Sequence, residues 1–315
     1  MSEQVKVGVC GVGSLGQHHA RIYAELPNTE LVGVYDVDPA RAKEIADQHG
    51  AGVFTSLDEM AGEVEAVSVV VPTDLHRDVS MTLLEQGLHL LVEKPIAETG
   101  RQAEEMVSLA NEKNLMLQVG HVERFNPVLK TLEERMDRPR FIEAHRLASY
   151  PPPRPGQTPR GTEVGVVLDL MIHDLEVILH LVGSKVETIH AVGLSVLSPS
   201  EDIANVRLCF ENKCVANVTA SRVSPERMRK IRLFLEDAYV SLDYQNQAGE
   251  MYRMAHGAIQ REEIPVEKGE PLANELRSFA DCVKHHNEPV VTGEHAAEAL
   301  KLAALITQQI KESSS

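Results

Sequence analysis

The chain has 315 residues, with 47 Asp and Glu against 31 Lys and Arg, which gives a formal net charge of −16. A surface this acidic repels phosphate backbones and anionic lipids, so neither nucleic acid nor a membrane is an expected partner. The four cysteines form no CxxC pair, so we predict no disulfides. The adjacent pairs His18-His19 and His285-His286 lack further ligands at useful spacing, so we predict no metal site. No secretory signal is visible, which favours a cytoplasmic location.

The first 120 residues alternate apolar, strand-like runs with helical patterns. Six strands are predicted, the third of them weak, and the other five lie at 5–10, 30–36, 66–71, 88–92 and 116–120. A helix is expected from 75 to 86, and Thr99 with Gln102 predicts a capping box at the start of the next helix. Repeated βα units of this kind predict a parallel, doubly wound sheet.

The pattern changes after residue 120. Strand-like runs lie at 141–149, 186–196, 205–210, 215–221, 230–235 and 239–244. Short turns join several of them, which predicts a mostly antiparallel sheet. Helices are expected at 165–181, 273–284 and 293–311. The whole chain is therefore predicted to be α/β, with a parallel first sheet and a second sheet of different type.

Gly11, Gly13 and Gly16 form a GxGxxG motif that follows a strand and opens a helix. The first glycine allows a tight turn, the second lets backbone approach a pyrophosphate, and the third permits close helix–strand packing. Asp36 ends the second strand 20 residues after Gly16, where a carboxylate accepts from ribose hydroxyls and repels a 2′-phosphate. NAD is therefore favoured, although Arg41 nearby leaves NADP open. The alternative is a chance glycine cluster in a nucleotide-free sheet.

Ligands of open parallel sheets bind beyond the carboxyl ends of the strands. In this chain those ends carry the glycine loop, Asp36, Pro72-Thr73, Glu93-Lys94-Pro95 and His121. Lys94 directly follows a buried apolar run. Its ammonium group is able to stabilise a developing alkoxide, or its neutral amine to accept a hydroxyl proton. The alternative is a surface lysine that happens to follow a strand.

The helix predicted at 165–181 is apolar nearly all round and should be buried. At about 100° per residue, a polar stripe no wider than about 60° collects four ionisable residues, which are Asp169, His173, Glu176 and His180. Asp169 precedes His173 by one turn, so its carboxylate is placed to orient the imidazole. Buried charges are costly unless paired or facing a wet cleft, which makes the stripe a candidate site. A helix with one solvated edge is the alternative.

These residues carry a resemblance to the glucose–fructose oxidoreductase/inositol dehydrogenase family (Gfo/Idh/MocA). It rests on the glycine loop, residues 72–76, Glu93-Lys94-Pro95 and the DxxxHD pattern at 169–174. The resemblance implies that Lys94, Asp169 and His173 are catalytic, with hydride passing between a sugar or cyclitol carbon and nicotinamide. It implies a site for NAD formed by Gly11, Gly13, Ser14, Leu15, Gly16, Asp36, Pro72, Thr73, His76, Glu93, Lys94 and His121.

The resemblance also implies an organisation in domains. An NAD-binding Rossmann domain is expected at 1–121 and a substrate-binding α/β domain with an open, mostly antiparallel sheet at 122–289. The helix at 290–315 is expected to pack back near the Rossmann domain. The open face of the second sheet would serve assembly into a homodimer or homotetramer.

A narrower resemblance, carried by residues 120–127 and 159–174, is to the UDP-N-acetylglucosamine 3-dehydrogenase branch of this family. That branch oxidises the sugar 3-hydroxyl to a ketone, on the way to an amino sugar of lipid A. The implied substrate site comprises Lys94, Arg124, Asn126, Arg154, Arg160 and His173. For the arginines and Asn126 an ordinary surface or ion-pairing role is the alternative. An inositol or free-sugar dehydrogenase and a non-catalytic NAD-binding regulator remain open, and the intact lysine, aspartate and histidine argue against the regulator.

Overall fold

A computed structural model describes residues 4–133, 138–152 and 161–313. The chain divides into two compact units. The first comprises Met1–Val122 and Glu270–Glu298, and the second comprises Glu123–Gly269 and Ala299–Ser315. Among the described residues, no helix is long and apolar enough to cross a membrane.

A six-stranded parallel sheet forms the centre of the first unit, as predicted. Its strands are β1 (Val5–Cys10), β2 (Thr29–Tyr35), β3 (Gly52–Val53), β4 (Ala66–Val69), β5 (His89–Val92) and β6 (Leu117–Val119). They lie in the order β3-β2-β1-β4-β5-β6, so the chain reverses its direction of winding between β1 and β4. This is the dinucleotide-binding order, in which ligands bind at the carboxyl ends of the strands next to that switch point.

Helices join these strands. They are α1 (Gly16–Glu25), α2 (Pro39–His49), α3 (Leu57–Glu63), α4 (Thr73–Glu85) and α5 (Gly100–Glu112). The predicted capping box is present, because the Thr99 side chain accepts from the backbone of Gln102 and the Gln102 side chain accepts from the backbone of Thr99. The helix expected from 75 begins two residues earlier, at Thr73, with Pro72 as its N-cap.

A later helix, α8 (Pro271–His285), belongs to the first unit. The predicted boundaries assign it to the second domain, and its packing explains the difference. Leu276, Phe279 and Val283 lie in one buried cluster with β1 residues such as Val7. The apolar face of α8 therefore completes the core beside the parallel sheet.

An eight-stranded sheet forms the second unit. Its strands are β7 (Phe141–Leu147), β8 (Val186–Leu194), β9 (Ile203–Phe210), β10 (Val215–Ser221), β11 (Met228–Phe234), β12 (Ala238–Asp243), β13 (Ala248–Ala255) and β14 (Ala258–Ile264). The order is β14-β13-β12-β11-β7-β10-β9-β8. Only the pairing of β7 with β10 is parallel among the described strands, so the prediction of a mostly antiparallel sheet is confirmed.

Two of these strands, β13 and β14, were not predicted from the sequence. Six of the seven residues of β14 are exposed, so no apolar alternation marks it. A turn at His256 and Gly257, both with positive φ, joins the two strands. Such a turn matches the twist of a hairpin and allows an otherwise polar segment to pair at the sheet edge.

Three helical segments accompany this sheet. They are α6 (Pro127–Glu133), α7 (Ile172–Val182) and the last part of α9 (Gly293–Ser313). The helix predicted at 165–181 is not uniform, because Val167–Met171 forms a π-helical turn that leads into α7. The end of α9 packs on β8, where the Gln309 amide donates to the Ile189 carbonyl over 2.9 Å. The resemblance predicts that this whole helix packs near the first domain, whereas its residues from Ala299 group with the second unit.

Candidate active site

The glycine loop between β1 and α1 has the close packing that its motif predicts. A methyl group on Gly16 would lie 1.8 Å from the Gly11 carbonyl oxygen, and one on Gly11 would lie 2.6 Å from the Val70 carbonyl oxygen. Gly11 also has φ +88°, a backbone conformation that is unfavourable for residues other than glycine. A methyl group on Gly13 would meet nothing within 4 Å. The loop is therefore tight at both ends and open in the middle, a cradle that fits a pyrophosphate.

The end of β2 holds this loop in place. Asp36 Oδ2 accepts from the Val12 N–H over 2.8 Å, and Asp36 Oδ1 accepts from the Asp38 N–H over 3.0 Å. A carboxylate has about four acceptor positions, so both oxygens retain capacity for ribose hydroxyls. Arg41 binds back to the same loop, with Nε donating to the Val12 carbonyl over 2.9 Å. Its remaining guanidinium nitrogens contact Gln17 and Glu44.

Lys94 is half-buried directly after β5, and a cis peptide bond joins it to Pro95. The neighbouring Glu93 carboxylate is fixed on both oxygens. Oε1 lies 3.2 Å from His19 Nε2, and Oε2 accepts from the Lys94 N–H over 3.2 Å. Burial raises the pKa of Glu93, but the hydrogen bonds and charges of His19 and Lys94 together outweigh burial, so the pKa lies below its usual range. The backbone that carries the Lys94 side chain is thus attached to a fixed, ionised group.

His76 supports the other side of the same segment. Its Nδ1 lies 2.8 Å from the Pro95 carbonyl oxygen and its Nε2 lies 2.9 Å from the Val71 carbonyl oxygen. Burial lowers the pKa of His76, because desolvation outweighs the hydrogen bonds to these carbonyls. The ring bridges the backbone beyond β4 and β5. This support role is a finding of the structure, and the nucleotide contact that the resemblance implies for His76 stays a prediction.

The other expected cofactor residues of the first unit lie at strand ends. Ser14 and Leu15 are exposed at the start of α1, which has no side-chain cap. Pro72 is exposed and Thr73 is half-buried at the start of α4. His121 follows β6 and is buried, and its N–H donates to the Val119 carbonyl. Uncapped helix ends of this kind leave backbone N–H groups for anionic ligands.

In the second unit, Asp169 lies within the π-helical turn and His173 lies at the start of α7. Both are half-buried. The stripe predicted from a uniform helix is only partly realised, because Glu176 is buried and His180 is exposed. π-helical turns inside helices are frequent at functional sites, and the sequence pattern gave no sign of this one. It changes the angular spacing at Asp169 itself.

A buried ionic cluster beside α7 was missed by the sequence reasoning. The Arg146 guanidinium contacts Asp174 through Nε at 2.7 Å and Nη2 at 3.1 Å, and it contacts Glu123 through Nη1 at 2.9 Å. Burial raises the pKa of Asp174, although the charge of Arg146 opposes that rise. Asp174 lies outside the predicted stripe, and its ion pair with Arg146 attaches α7 to β7.

Two expected substrate residues belong to the same interior. Arg124 Nη1 lies 2.8 Å from Glu176 Oε1. The Asn126 amide donates to Glu123 Oε2 and to the Tyr244 carbonyl, and its oxygen accepts from the Val128 N–H. Both side chains are buried. A substrate contact by either one stays a prediction. Arg154 and Arg160 lie outside the described residues.

Among the described residues, no group of three or more His, Cys, Asp or Glu side chains is arranged to hold a metal ion. A parallel sheet in this strand order, a glycine cradle at its switch point and a half-buried lysine just after β5 define a dinucleotide-dependent oxidoreductase. These residues fit a dinucleotide. Of the three motif glycines, only Gly13 faces open space, and that is the position at which the backbone would approach the phosphates.

Comparison with known families leads to the same class. Residues 5–121 match the oxidoreductase family, NAD-binding Rossmann fold (Gfo/Idh/MocA), and residues 133–241 match the Gfo/Idh/MocA C-terminal domain. The chain therefore belongs to the Gfo/Idh/MocA oxidoreductase family, as the sequence motifs predicted, and its first domain binds NAD or NADP.

Individual relatives span nearly the whole chain. UDP-N-acetylglucosamine 3-dehydrogenase of Acidithiobacillus ferrooxidans is 34% identical, over 96% of this chain and 95% of that protein. A solved structure of that enzyme matches with a TM-score of 0.92 at 32% identity, over 98% of both chains. The scyllo-inositol 2-dehydrogenase (NAD(+)) of Bacillus subtilis is 24% identical, over 99% of this chain and 95% of that protein.

Proposed function

We propose that this protein is an NAD-dependent dehydrogenase that oxidises C3 of UDP-N-acetylglucosamine, in a pathway to lipid A amino sugars. The observation that carries the proposal is the 34% identity to a UDP-N-acetylglucosamine 3-dehydrogenase over 96% of this chain. Inositol dehydrogenases among the relatives are 22%, 24% and 25% identical over similar lengths, and one that is 30% identical matches over only 60% of this chain. The nucleotide sugar is therefore favoured over a free cyclitol as the substrate.

Three side chains are proposed to carry the chemistry. A bound nicotinamide would supply the hydride acceptor for the carbon that is oxidised. Lys94 or His173 takes the proton from the hydroxyl group on that carbon. Asp169 orients the His173 imidazole and supports its protonated form. Lys94 and His173 also contact the substrate, with Arg124, Asn126, Arg154 and Arg160 as further candidates for sugar or diphosphate contacts.

NAD is proposed as the cofactor rather than NADP. The Asp36 carboxylate at the end of β2 would repel a 2′-phosphate at the ribose position. Arg41 is the residue that favours NADP in the sequence. Its guanidinium is already engaged by the Val12 carbonyl, Gln17 and Glu44, which reduces its availability to a phosphate group.

The protein is proposed to act in the cytoplasm as a homodimer or homotetramer. Support for an assembly comes from the half-buried face of the second sheet. Phe141, Phe234, Tyr239 and Tyr252 form a row across four strands there, with successive ring centroids 5.4, 5.1 and 5.6 Å apart. An aromatic row on an open sheet face is typical of a surface that another subunit covers.

A substrate panel tests the proposal. The purified protein is incubated with NAD and, in separate reactions, UDP-N-acetylglucosamine, free N-acetylglucosamine, myo-inositol and scyllo-inositol, and NADH absorbance is followed. We expect NADH formation with the UDP-sugar and a kcat/KM at least about 10-fold lower for the others, because each loses the diphosphate contacts. Preference for a cyclitol would replace the proposed substrate. NADH binding without turnover of any compound would instead support a regulator.

A further inference from the structure

Arg222 is buried at the end of β10, next to the segment that leads into the π-helical turn. Its Nη1 donates to the Gly161 carbonyl over 2.6 Å and to the Val164 carbonyl over 2.8 Å. A guanidinium has five N–H donors in a rigid plane. Two of them therefore hold the backbone just before the residue proposed to orient His173.

The other donors of Arg222 are used as well. Nε donates to Asp202 Oδ1 over 2.7 Å, and Nη2 donates to the hydroxyl oxygens of Ser198 and Ser200, each over 2.9 Å. All five donors thus have partners. A fully used guanidinium is fixed in position and orientation, because a rotation of its plane would break several hydrogen bonds together.

The Asp202 carboxylate is held by backbone N–H groups of the loop between β8 and β9. Its Oδ2 accepts from the N–H groups of Val196, Leu197 and Ser198, over 2.8, 2.6 and 2.9 Å. Burial raises the pKa of Asp202, but the backbone N–H groups and Arg222 outweigh it and hold the pKa well below its usual range. The carboxylate therefore stays ionised and keeps Arg222 in place.

Gly161 connects this cluster to Asp169. It has φ +80°, and a methyl group on it would lie 2.7 Å from Asp169 Oδ2. The Asp169 carboxylate thus packs directly on the backbone whose carbonyl Arg222 holds. The backbone between Gly161 and Asp169 is also attached to the residue before Asp202, since the Val166 N–H donates to the Glu201 carbonyl over 2.9 Å.

We infer that Arg222 is a positioning residue that fixes, through the Gly161 backbone, the place of the Asp169 carboxylate in the active site. This inference rests on the proposed function, in which Asp169 orients His173. Arg222 has no contact with substrate in this role. Displacement of an orienting group by about 1 Å is able to cost about 100-fold in rate, so a rigid support far from the reacting atoms has a measurable consequence.

The test compares two glycine variants with matched backbone cost. Gly161→Ala adds a methyl group against Asp169, whereas Gly183→Ala, at the C-cap of α7 with φ +56°, adds one that meets nothing within 4 Å. Both variants force alanine into a positive φ, so similar losses of melting temperature are expected. We expect kcat to fall about 10- to 100-fold in Gly161→Ala and to stay within about 2-fold of wild type in Gly183→Ala.

In Gly161→Ala we also expect the substrate KM and the NADH affinity to stay near the wild-type values, because only the orientation of the catalytic group changes. Equal losses of kcat in both glycine variants would overturn the inference, since general strain would then explain them. Arg222→Lys tests the cluster directly. It keeps the charge but not the planar fork, so kcat is expected to fall about 10-fold with NADH affinity retained.

Asp169→Asn separates this inference from the proposed function. If Asp169→Asn keeps wild-type turnover, the catalytic assignment fails and the positioning role fails with it. If Asp169→Asn is inactive while Gly161→Ala and Arg222→Lys both keep full kcat, only the positioning role is overturned.

Discussion

The segment around Lys94 in the first unit and the cluster around Arg146 in the second both bury polar groups, but they use different partners. Around Lys94, two histidines contact one carboxylate and two backbone carbonyls. Around Arg146, one guanidinium lies between two carboxylates. Lys94 itself is half-buried, whereas Arg146 is buried.

Under the proposed function, this difference separates a support structure from a group that takes part in the reaction. The Arg146 cluster lies between α7 and the sheet, and its two carboxylates are balanced by Arg146 and by Arg229, whose Nη1 lies 3.8 Å from Glu123 Oε1. Such clusters are costly to break from one side and do not by themselves mark a site. In the Lys94 segment, the supporting histidines hold the neighbouring carboxylate and carbonyls, and the lysine keeps partial access to solvent. If Lys94 has the proposed catalytic role, half-burial beside fixed neighbours is the better guide to chemistry in this chain than complete burial of a charge.

The largest expected effect is on catalysis. Lys94→Ala is predicted to lower kcat about 10²- to 10⁴-fold, the usual contribution of a positioned proton-transfer group. NADH affinity, measured by fluorescence titration, should stay within about 3-fold, because the phosphate cradle and Asp36 are unchanged. Lys113→Ala is a matched control, since Lys113 is exposed and its amine donates to the Glu85 carbonyl at the end of α4. If Lys94→Ala keeps a kcat near the wild-type value, Lys94 is not a catalytic residue.

The next effect is on stability. Arg146→Met leaves Glu123 and Asp174 buried without their shared cation and is predicted to lower the free energy of unfolding by about 3–5 kcal/mol. Arg140→Met is the control, because the Arg140–Glu236 pair is exposed on both sides and should change stability by less than about 1 kcal/mol. Urea unfolding followed by circular dichroism measures both. Similar small losses in the two variants would show that the buried cluster is not the stronger support.

Local signals in the sequence predicted the parts of the fold that neighbouring residues determine. Thr99 and Gln102 predicted a helix start, and the glycine spacing predicted the cradle at Gly11 and Gly16. The family motifs also predicted the family itself. Each of these features is written within a few consecutive residues, so one sequence is sufficient to recognise it.

The supports of the site could not be predicted in this way, because their partners are far apart in the chain. His19 and Glu93 are 74 positions apart, and Arg146 and Asp174 are 28 apart. No periodicity links such pairs, and only the folded sheet brings them together. The π-helical turn at Asp169 was missed for a related reason, since a uniform helix was the only regular pattern with which to assign angles.

Cofactor affinity should respond to a smaller change at the end of β2. Asp36→Asn keeps one acceptor oxygen but loses the charge and the second acceptor. We predict that it weakens NAD binding about 10- to 100-fold, the range for a hydrogen bond to a charged group, and narrows the preference for NAD over NADP. Asp38→Asn is the control, because asparagine caps α2 as well as aspartate does. An unchanged NAD affinity in Asp36→Asn would contradict the ribose contact.

The smallest effect is expected from a support of Lys94. His19→Leu removes the hydrogen bond to Glu93 Oε1 and is predicted to lower kcat about 3- to 10-fold, in line with the loss of one hydrogen bond. Because His19 holds the pKa of Glu93 down, its removal raises that pKa, and protonated Glu93 loses its fixed position. The deficit in kcat should therefore widen as the pH falls, because Glu93 in the variant takes up a proton at a higher pH than in the wild type.

Two variants decide whether this effect belongs to the hydrogen bond. His19→Gln places an amide nitrogen near the position of Nε2 and should restore most of kcat and flatten the pH dependence. His18→Leu, at the exposed neighbouring residue, should leave kcat unchanged at each pH. If His19→Leu and His19→Gln lose activity equally, or if the deficit is the same at every pH, His19 only fills space and the Glu93 carboxylate does not need it to hold the Lys94 backbone.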